Sequence, residues 1–241
     1  MVYNWWRRRG GHCLLCNDTG MADMDLCAAC FATFIANRPA CGHCALPLPD
    51  SRAPLCGRCL SRPPPWEGLH APWRYAEPVS RLIQQLKFDA RLPVGRLLGQ
   101  LLAQDLPATD VELLLPVPQH PRSLRRRGFN HAAEITRSLA ATLALPWSAR
   151  RLLKVQATAA QHGLNRRARL KNLAGAFVWE GPPPPRTVAV IDDVVTTGAT
   201  AEAVTRALHR AGAEKVWIWA VARTPSGAPP HPTRSLDPRL G

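Results

Sequence analysis

The chain has 241 residues, 46% of them hydrophobic, enough for a packed core, which excludes a wholly disordered protein. Thirty-one Lys and Arg against seventeen Asp and Glu leave a formal charge of +14; this favours polyanionic partners such as nucleic acid, phosphorylated small molecules or an anionic membrane face, with arginine used only for solubility as the plainer alternative. There is no apolar run of about 18 residues, and no apolar stretch follows Trp5, Trp6 and the three arginines of the N-terminus, so neither a transmembrane span nor a secretory signal is expected and the chain is read as cytoplasmic.

The first element is a cysteine module. All eight cysteines lie between residues 13 and 59, in four Cys-x-x-Cys pairs: Cys13/Cys16, Cys27/Cys30, Cys41/Cys44 and Cys56/Cys59. Gaps of ten, ten and eleven residues separate the pairs. A Cys-x-x-Cys turn aims two thiolates at one point, and two such turns complete a tetrahedral zinc shell. Four pairs therefore predict two structural Zn2+ sites. A redox dithiol does not need four evenly repeated pairs, and disulfides do not suit a reducing compartment. The pairs combine either sequentially or as a cross-brace; the gaps do not decide, and sequential ribbons are favoured. His12 and His43 adjoin ligands but are expected beside the metal shell rather than in it. So short a segment has little core, and metal is expected to supply much of its folding free energy. Closed all-thiolate sites leave no open coordination position, so the module is read as structural or docking, not catalytic.

Arg62-Pro63-Pro64-Pro65 reads as a stiff linker. Beyond it, Trp73-Arg74-Tyr75 starts a short strand or turn. Val79, Leu82, Ile83 and Leu86 fall at helical spacing, and a second helix is predicted over Gly95–Gln104. Val111–Leu115 reads as a buried strand meeting the turn Pro116-Val117-Pro118. Asn130–Leu143 is helical, Arg150–Lys171 basic and less regular, and Ala176–Trp179 a short strand. Pro182–Pro185 is a stiff loop. Thr187–Ile191 is a buried strand, Thr200–Arg210 a helix ending at Gly212, and Lys215–Ala222 a last strand with Trp217 and Trp219 on one face as core. The tail after Thr224 is Pro-rich and expected to be disordered. Strands alternating with helices predict an α/β fold with a parallel sheet of βαβ units.

The most telling segment runs from Val188 to Thr200. Four apolar residues, Val188 to Ile191, make a buried strand, and ligands of such sheets bind at the carboxyl ends of strands, where Asp192 and Asp193 stand. Val194, Val195, Thr196, Thr197, Gly198, Ala199 and Thr200 then lead into a helix. Gly198 permits close backbone approach, free N–H groups and the helix dipole favour a phosphate, and the threonine hydroxyls add donors. Two acids beside a phosphate make sense with a sugar between them: they accept from ribose hydroxyls, or hold a bridging Mg2+. A helix cap beside an ordinary turn is the bland alternative; both elements together at a strand end speak against it.

The run Val190-Ile191-Asp192-Asp193-Val194-Val195-Thr196-Thr197-Gly198-Ala199-Thr200 resembles the phosphoribosyl-diphosphate (PRPP) signature of type I phosphoribosyltransferases. Together with Pro116-Val117-Pro118, Arg127-Gly128-Phe129-Asn130, Gln161, Arg169-x-x-Asn172 and the four cysteine pairs, it resembles the ComF/ComFC/GntX family, from Cys13 to Ala222. The resemblance implies a type I phosphoribosyltransferase-like fold, a parallel sheet flanked by helices, preceded by a small zinc-ribbon module. The expected division is 1–62 for the ribbons, 63–72 for a proline-rich linker, 73–224 for the phosphoribosyltransferase-like domain and 225–241 for the tail. It further implies PRPP with Mg2+ as ligand. Asp192 and Asp193 would take the ribose hydroxyls, Thr196 to Thr200 the 5'-phosphate, and Arg125, Arg126 and Arg127 the diphosphate. The stretch with Gln161, Arg166, Arg167 and Arg169 would form a lid. Family members are linked to natural competence and DNA utilisation, so single-stranded DNA and the uptake helicase are the implied partners, reached through the ribbons and the basic surface. No strong general base stands out; His120, His131 and His162 are candidates by proximity, each more readily a surface or capping residue. A non-catalytic PRPP- or nucleotide-sensing protein is the competing expectation.

Overall fold

The computed structural model describes residues 11–108, 110–156 and 172–225. In chain order its elements are α1 (Ala28–Ala32), α2 (Gly57–Ser61), β1 (Gly68–His70), β2 (Trp73–Arg74), α3 (Val79–Phe88), α4 (Leu92–Asp105), β3 (Leu113–Pro116), α5 (Pro121–Arg127), α6 (His131–Leu143), β4 (Leu152–Lys154), β5 (Phe177–Trp179), β6 (Thr187–Val195), α7 (Ala199–Arg210) and β7 (Lys215–Arg223). The main sheet is wholly parallel, ordered β1-β7-β6-β3, with β2 also pairing on β7.

Both faces of β6 and β7 are covered, which explains why these strands read as continuous apolar runs rather than alternating ones. On one face Ala189, Ile191, Trp219 and Val221 pack against α3, α4 and α6. On the other, Val188, Val190, Ile218 and Ala220 pack against α7 and the small antiparallel pair of β4 and β5. Helices α4 and α6 approach closely at Gly99, where a Cβ would stand 2.5 Å from the Ile135 carbonyl oxygen. Trp219 is fully buried and Trp217 packs partly against the same cluster, as core.

The ribbons are built into these two layers. Cys41, Cys44, Cys56 and Cys59 belong to the α7-side core, and Cys13, Leu26 and Cys27 to the α3–α4–α6 side. Asn37, buried between the ribbons, donates to the carbonyls of Ala45 and Ala71. Segment 63–72 is more than a spacer. Its residues Gly68–His70 form β1 and pair with Trp217–Trp219, and Trp66 is buried. Three prolines in a row mask a strand three residues later that has only two fully buried positions.

Other boundaries move for local reasons. Strand β6 continues through Val195, so both aspartates are strand residues rather than turn residues. Helix α4 starts at Leu92 because Pro93 fits the first turn. Helix α5 has no apolar period to betray it, and β4 arises within a stretch read as irregular, where Leu152–Lys154 pairs with Phe177–Trp179. Among the described residues no helix is long and apolar enough to cross a membrane.

Candidate functional site

The thiols form two groups, Cys13/Cys16/Cys27/Cys30 and Cys41/Cys44/Cys56/Cys59, each with its ligand atoms within 4.8 Å of one another. Consecutive pairs thus combine, and the ribbons are sequential. All four sulfurs suit a closed tetrahedral Zn2+ shell.

The second centre lies where β6 ends. Asp192 and Val194 to Ala201 line a shallow cleft that opens against the start of α7. Gly198 caps that helix in the left-handed region at φ 77°, and a Cβ there would meet Trp66 at 3.3 Å. Glycine is favoured by the left-handed backbone, and a side chain there would also crowd Trp66. A helix start offers amides short of intrahelical partners to an anion; here the Ala199 amide donates to Thr197 Oγ1 at 3.3 Å, which places that hydroxyl at the same helix start.

The two acids occupy different environments. Asp193 is buried, with its Oδ2 2.7 Å from Lys87 Nζ and 3.2 Å from His131 Nε2. Burial alone would raise its pKa; the charge and hydrogen bond of Lys87 outweigh this and hold it below the usual carboxylate range. Asp192 borders the cleft, and its Oδ1 accepts from the Asp193 amide at 2.9 Å. Burial, then the neighbouring Asp193 charge, push its pKa up to about 8. Lys87, at the end of α3, is raised: desolvation opposes the charge, and the attraction of Asp193 prevails.

His131, the first residue of α6, is lowered to about 4 by burial, then by the Lys87 and Arg127 charges, against the pull of Asp193. It is neutral at pH 7. Gln119 Nε2 lies 2.5 Å from its Nδ1, so with Gln119 donating, the Nε2 hydrogen faces Asp193. Of the three histidine candidates, His131 is the one brought to the aspartates. His120 instead caps α5, accepting from the Arg122 amide, and His162 lies outside the described residues.

The Pro116-Val117-Pro118 turn is tied to the site by hydrogen bonds. The Val117 amide donates to Ile191, and Asn130, which caps α6, donates its Nδ2 to the Val117 carbonyl. Gly128 ends α5 in the left-handed region. The Arg-Gly-Phe-Asn run is thus a helix stop followed by a helix start. Arg127 stands over the Phe88 ring at 5.5 Å and contributes charge at His131. Arg125 is exposed on α5 and, among the described residues, makes no contact with the aspartates. Gln161, Arg166, Arg167 and Arg169 lie outside the described residues, as does the side chain of Arg126.

Sequence reasoning missed Lys87, Arg58 and Arg223. Lys87 follows Ile83 by four residues, so helical spacing places it on the buried face of α3. Arg223 continues a buried strand, and Arg58 sits between zinc ligands; neither position is a ligand signal by itself.

Comparison with known proteins bears directly on this arrangement. A family model described as "Double zinc ribbon domain" matches residues 10–60. The chain is 36% identical to the DNA utilization protein YhgH of Escherichia coli K12, over 89% of this chain and 97% of that one. It is 34% identical to Competence protein F of Haemophilus influenzae, over 92% of this chain and all of the other. The chain belongs to the ComF/ComFC/GntX family. A more distant relative, Competence protein ComFC of Streptococcus pneumoniae, is 26% identical over 87% of this chain and 91% of its own length. Among solved structures, a purine phosphoribosyltransferase from Pyrococcus horikoshii Ot3 is similar, with a TM-score of 0.31 and 14% identity over 61% of this chain and 95% of that one. In this ComF-family chain, the double zinc ribbon and the parallel sheet flanked by helices meet at the β6–α7 loop.

Proposed function

We propose that the protein binds PRPP with Mg2+ at the β6–α7 loop and serves, in the cytoplasm, a phosphoribosyltransferase-type step in DNA uptake or DNA utilisation. The observation that carries this reading is the cleft of Asp192 and residues 194–201, which joins a carboxylate to the amide-rich start of α7. The 5'-phosphate lies on Thr196 to Thr200, and Asp192 accepts from a ribose hydroxyl. Asp193 acts through its neighbours, since Lys87 already balances its charge. With Asp193 balanced by Lys87, Asp192 is the carboxylate that would meet a Mg2+ carried in by the diphosphate, where the ion would offset the diphosphate's charge. Arg127, over the Phe88 ring and acting on His131, supplies charge for the diphosphate. In transfer, the anomeric carbon loses its bond to diphosphate, which leaves with the bonding electron pair, as an acceptor nitrogen bonds to that carbon and gives up its proton to the departing diphosphate or to water.

The pathway rests on the names of the relatives, and contact with single-stranded DNA or an uptake helicase belongs to the same reading. Binding without transfer is the second reading. It is favoured by one observation: Lys87 and His131, the basic groups brought to the aspartates, are both engaged with Asp193. Titration calorimetry with PRPP and Mg2+ tests the site; saturable binding lost in Asp192→Asn is expected, and no saturable binding to the wild type overturns it. Diphosphate release with a panel of nucleobases separates transfer from sensing.

A further inference from the structure

The loop is held from behind, and what holds it belongs to the second zinc ribbon. Three consecutive carbonyls, those of Val195, Thr196 and Thr197, accept from guanidinium groups. Arg223 Nη1 donates to Val195 O at 2.9 Å and to Thr196 O, and Arg58 Nη1 donates to Thr197 O at 3.3 Å. A loop whose carbonyls are drawn to one side presents its amides to the other, and that other side is the cleft.

Both arginines are tied to the second ribbon. Arg58 lies on α2 between the ligands Cys56 and Cys59, and Arg223 Nε donates to the Cys44 carbonyl at 3.2 Å. Trp66, whose ring lies beside Gly198 where a Cβ would meet it at 3.3 Å, donates its indole N–H to the carbonyl of His43, between Cys41 and Cys44. The ribbon thus reaches the loop through three side chains.

The charges agree. Among the described residues no carboxylate pairs with either arginine. A zinc ion on four thiolates carries two net negative charges, matching the two guanidinium groups that stand between it and the cleft. Arg58 Nη2 is buried without a hydrogen-bond partner, 3.9 Å from where a Gly198 Cβ would be. A buried unsatisfied donor costs stability, so this cation is poorly explained by folding alone. The first ribbon, packed on the opposite face of the sheet, has no such link to the loop among the described residues.

We propose that Arg58 and Arg223 are positioning residues through which the second zinc ribbon sets the phosphate loop, so that ligand binding depends on that ribbon's metal and not on the first one's. This rests on the reading of the loop as a PRPP site. The test uses full-length wild type, Arg58→Ala, Arg58→Gln and Arg58→Lys. The measurements are PRPP affinity by calorimetry, zinc content, and hydrogen exchange at Thr196 to Thr200 without ligand. Loss of one charge-assisted hydrogen bond predicts affinity weakened by about tenfold to a hundredfold in Arg58→Ala and Arg58→Gln. Zinc content stays at the wild-type level, and the loop amides exchange faster. Arg58→Lys, which keeps one donor for Thr197 O, recovers part of the affinity. Wild-type binding with unchanged affinity and unchanged loop exchange in Arg58→Ala overturns this inference alone. A wild type that does not bind PRPP overturns it together with the proposed function.

Discussion

Replacing Lys87 by Met asks whether the buried ion pair holds the site together. The Lys87 ammonium lies 2.7 Å from Asp193, with the side chains 22% and 3% exposed. At an effective dielectric of about 20, this separation corresponds to about 6 kcal/mol of attraction, much of it offset by desolvation. Removing one partner strands the other, so a net loss of about 3–5 kcal/mol is expected at neutral pH. For a chain of this size that lowers Tm by roughly 6–20 °C. The pH dependence has a definite sign. In the wild type Asp193 is depressed, so its contribution is present above its unfolded pKa of about 4 and fades as pH falls through its lower folded value. Without Lys87, burial raises Asp193, and the penalty grows from about pH 4 upward. The gap between variant and wild type, followed by thermal unfolding from pH 4 to 8, should therefore shrink on acidification. Adding Asp193→Asn should restore much of the stability at pH 7. A gap independent of pH, or a double variant weaker than the single one, would refute the assignment.

Asp192 carries the opposite sign. Its pKa of about 8 means wild-type stability falls as pH rises from about 4 toward 8, so Asp192→Asn should unfold at a higher temperature than wild type at pH 8 while losing PRPP; equal Tm values at that pH would contradict the raised acid. Metal analysis should find two zinc ions per chain, falling to one in a Cys13→Ser/Cys16→Ser variant, and chelation should lower the thermal midpoint because metal supplies folding free energy; full stability after complete zinc removal would contradict this. Gly198→Ala should cost about 1–2 kcal/mol from the left-handed backbone, and, through the Trp66 contact, weaken PRPP more than its stability loss would suggest. Unaltered affinity in that variant would separate the loop from the ligand.

The parallel sheet was legible because β6 and β7 are long apolar runs followed or preceded by amphipathic helices. The paired cysteines were legible because thiolate chemistry imposes its own spacing. Short elements were not. Gly68–His70 and Leu152–Lys154 each gain their strand character from a partner far along the chain, Trp217–Trp219 and Phe177–Trp179. The acids and the phosphate loop were readable as types, but their division of labour was not. Asp193 takes its role from Lys87, and that pairing is a tertiary contact between α3 and β6. His131 follows the same logic, since its ring is informative only once burial makes it neutral.

That division removes the difficulty of setting two acids beside an anion site. Asp193 is neutralised by Lys87, and Asp192, with a pKa of about 8, is mostly protonated at pH 7. The unliganded cleft therefore presents little negative charge, while Arg58, Arg223 and the α7 dipole present positive charge from behind the loop. A ribose hydroxyl that donates to Asp192 favours its ionised form, and a nearby Mg2+ acts in the same direction. Binding at pH 7 should then release protons, up to about one per site. Calorimetry in buffers of different ionisation enthalpy measures this directly, as a slope of observed enthalpy against buffer enthalpy. The release should fall away toward pH 10, where Asp192 is already ionised, and should vanish from any residual binding in Asp192→Asn. Tight binding at pH 7 without proton release would mean that Asp192 is already charged in the free protein, and that the positive charge behind the loop, not protonation, lets an anion approach.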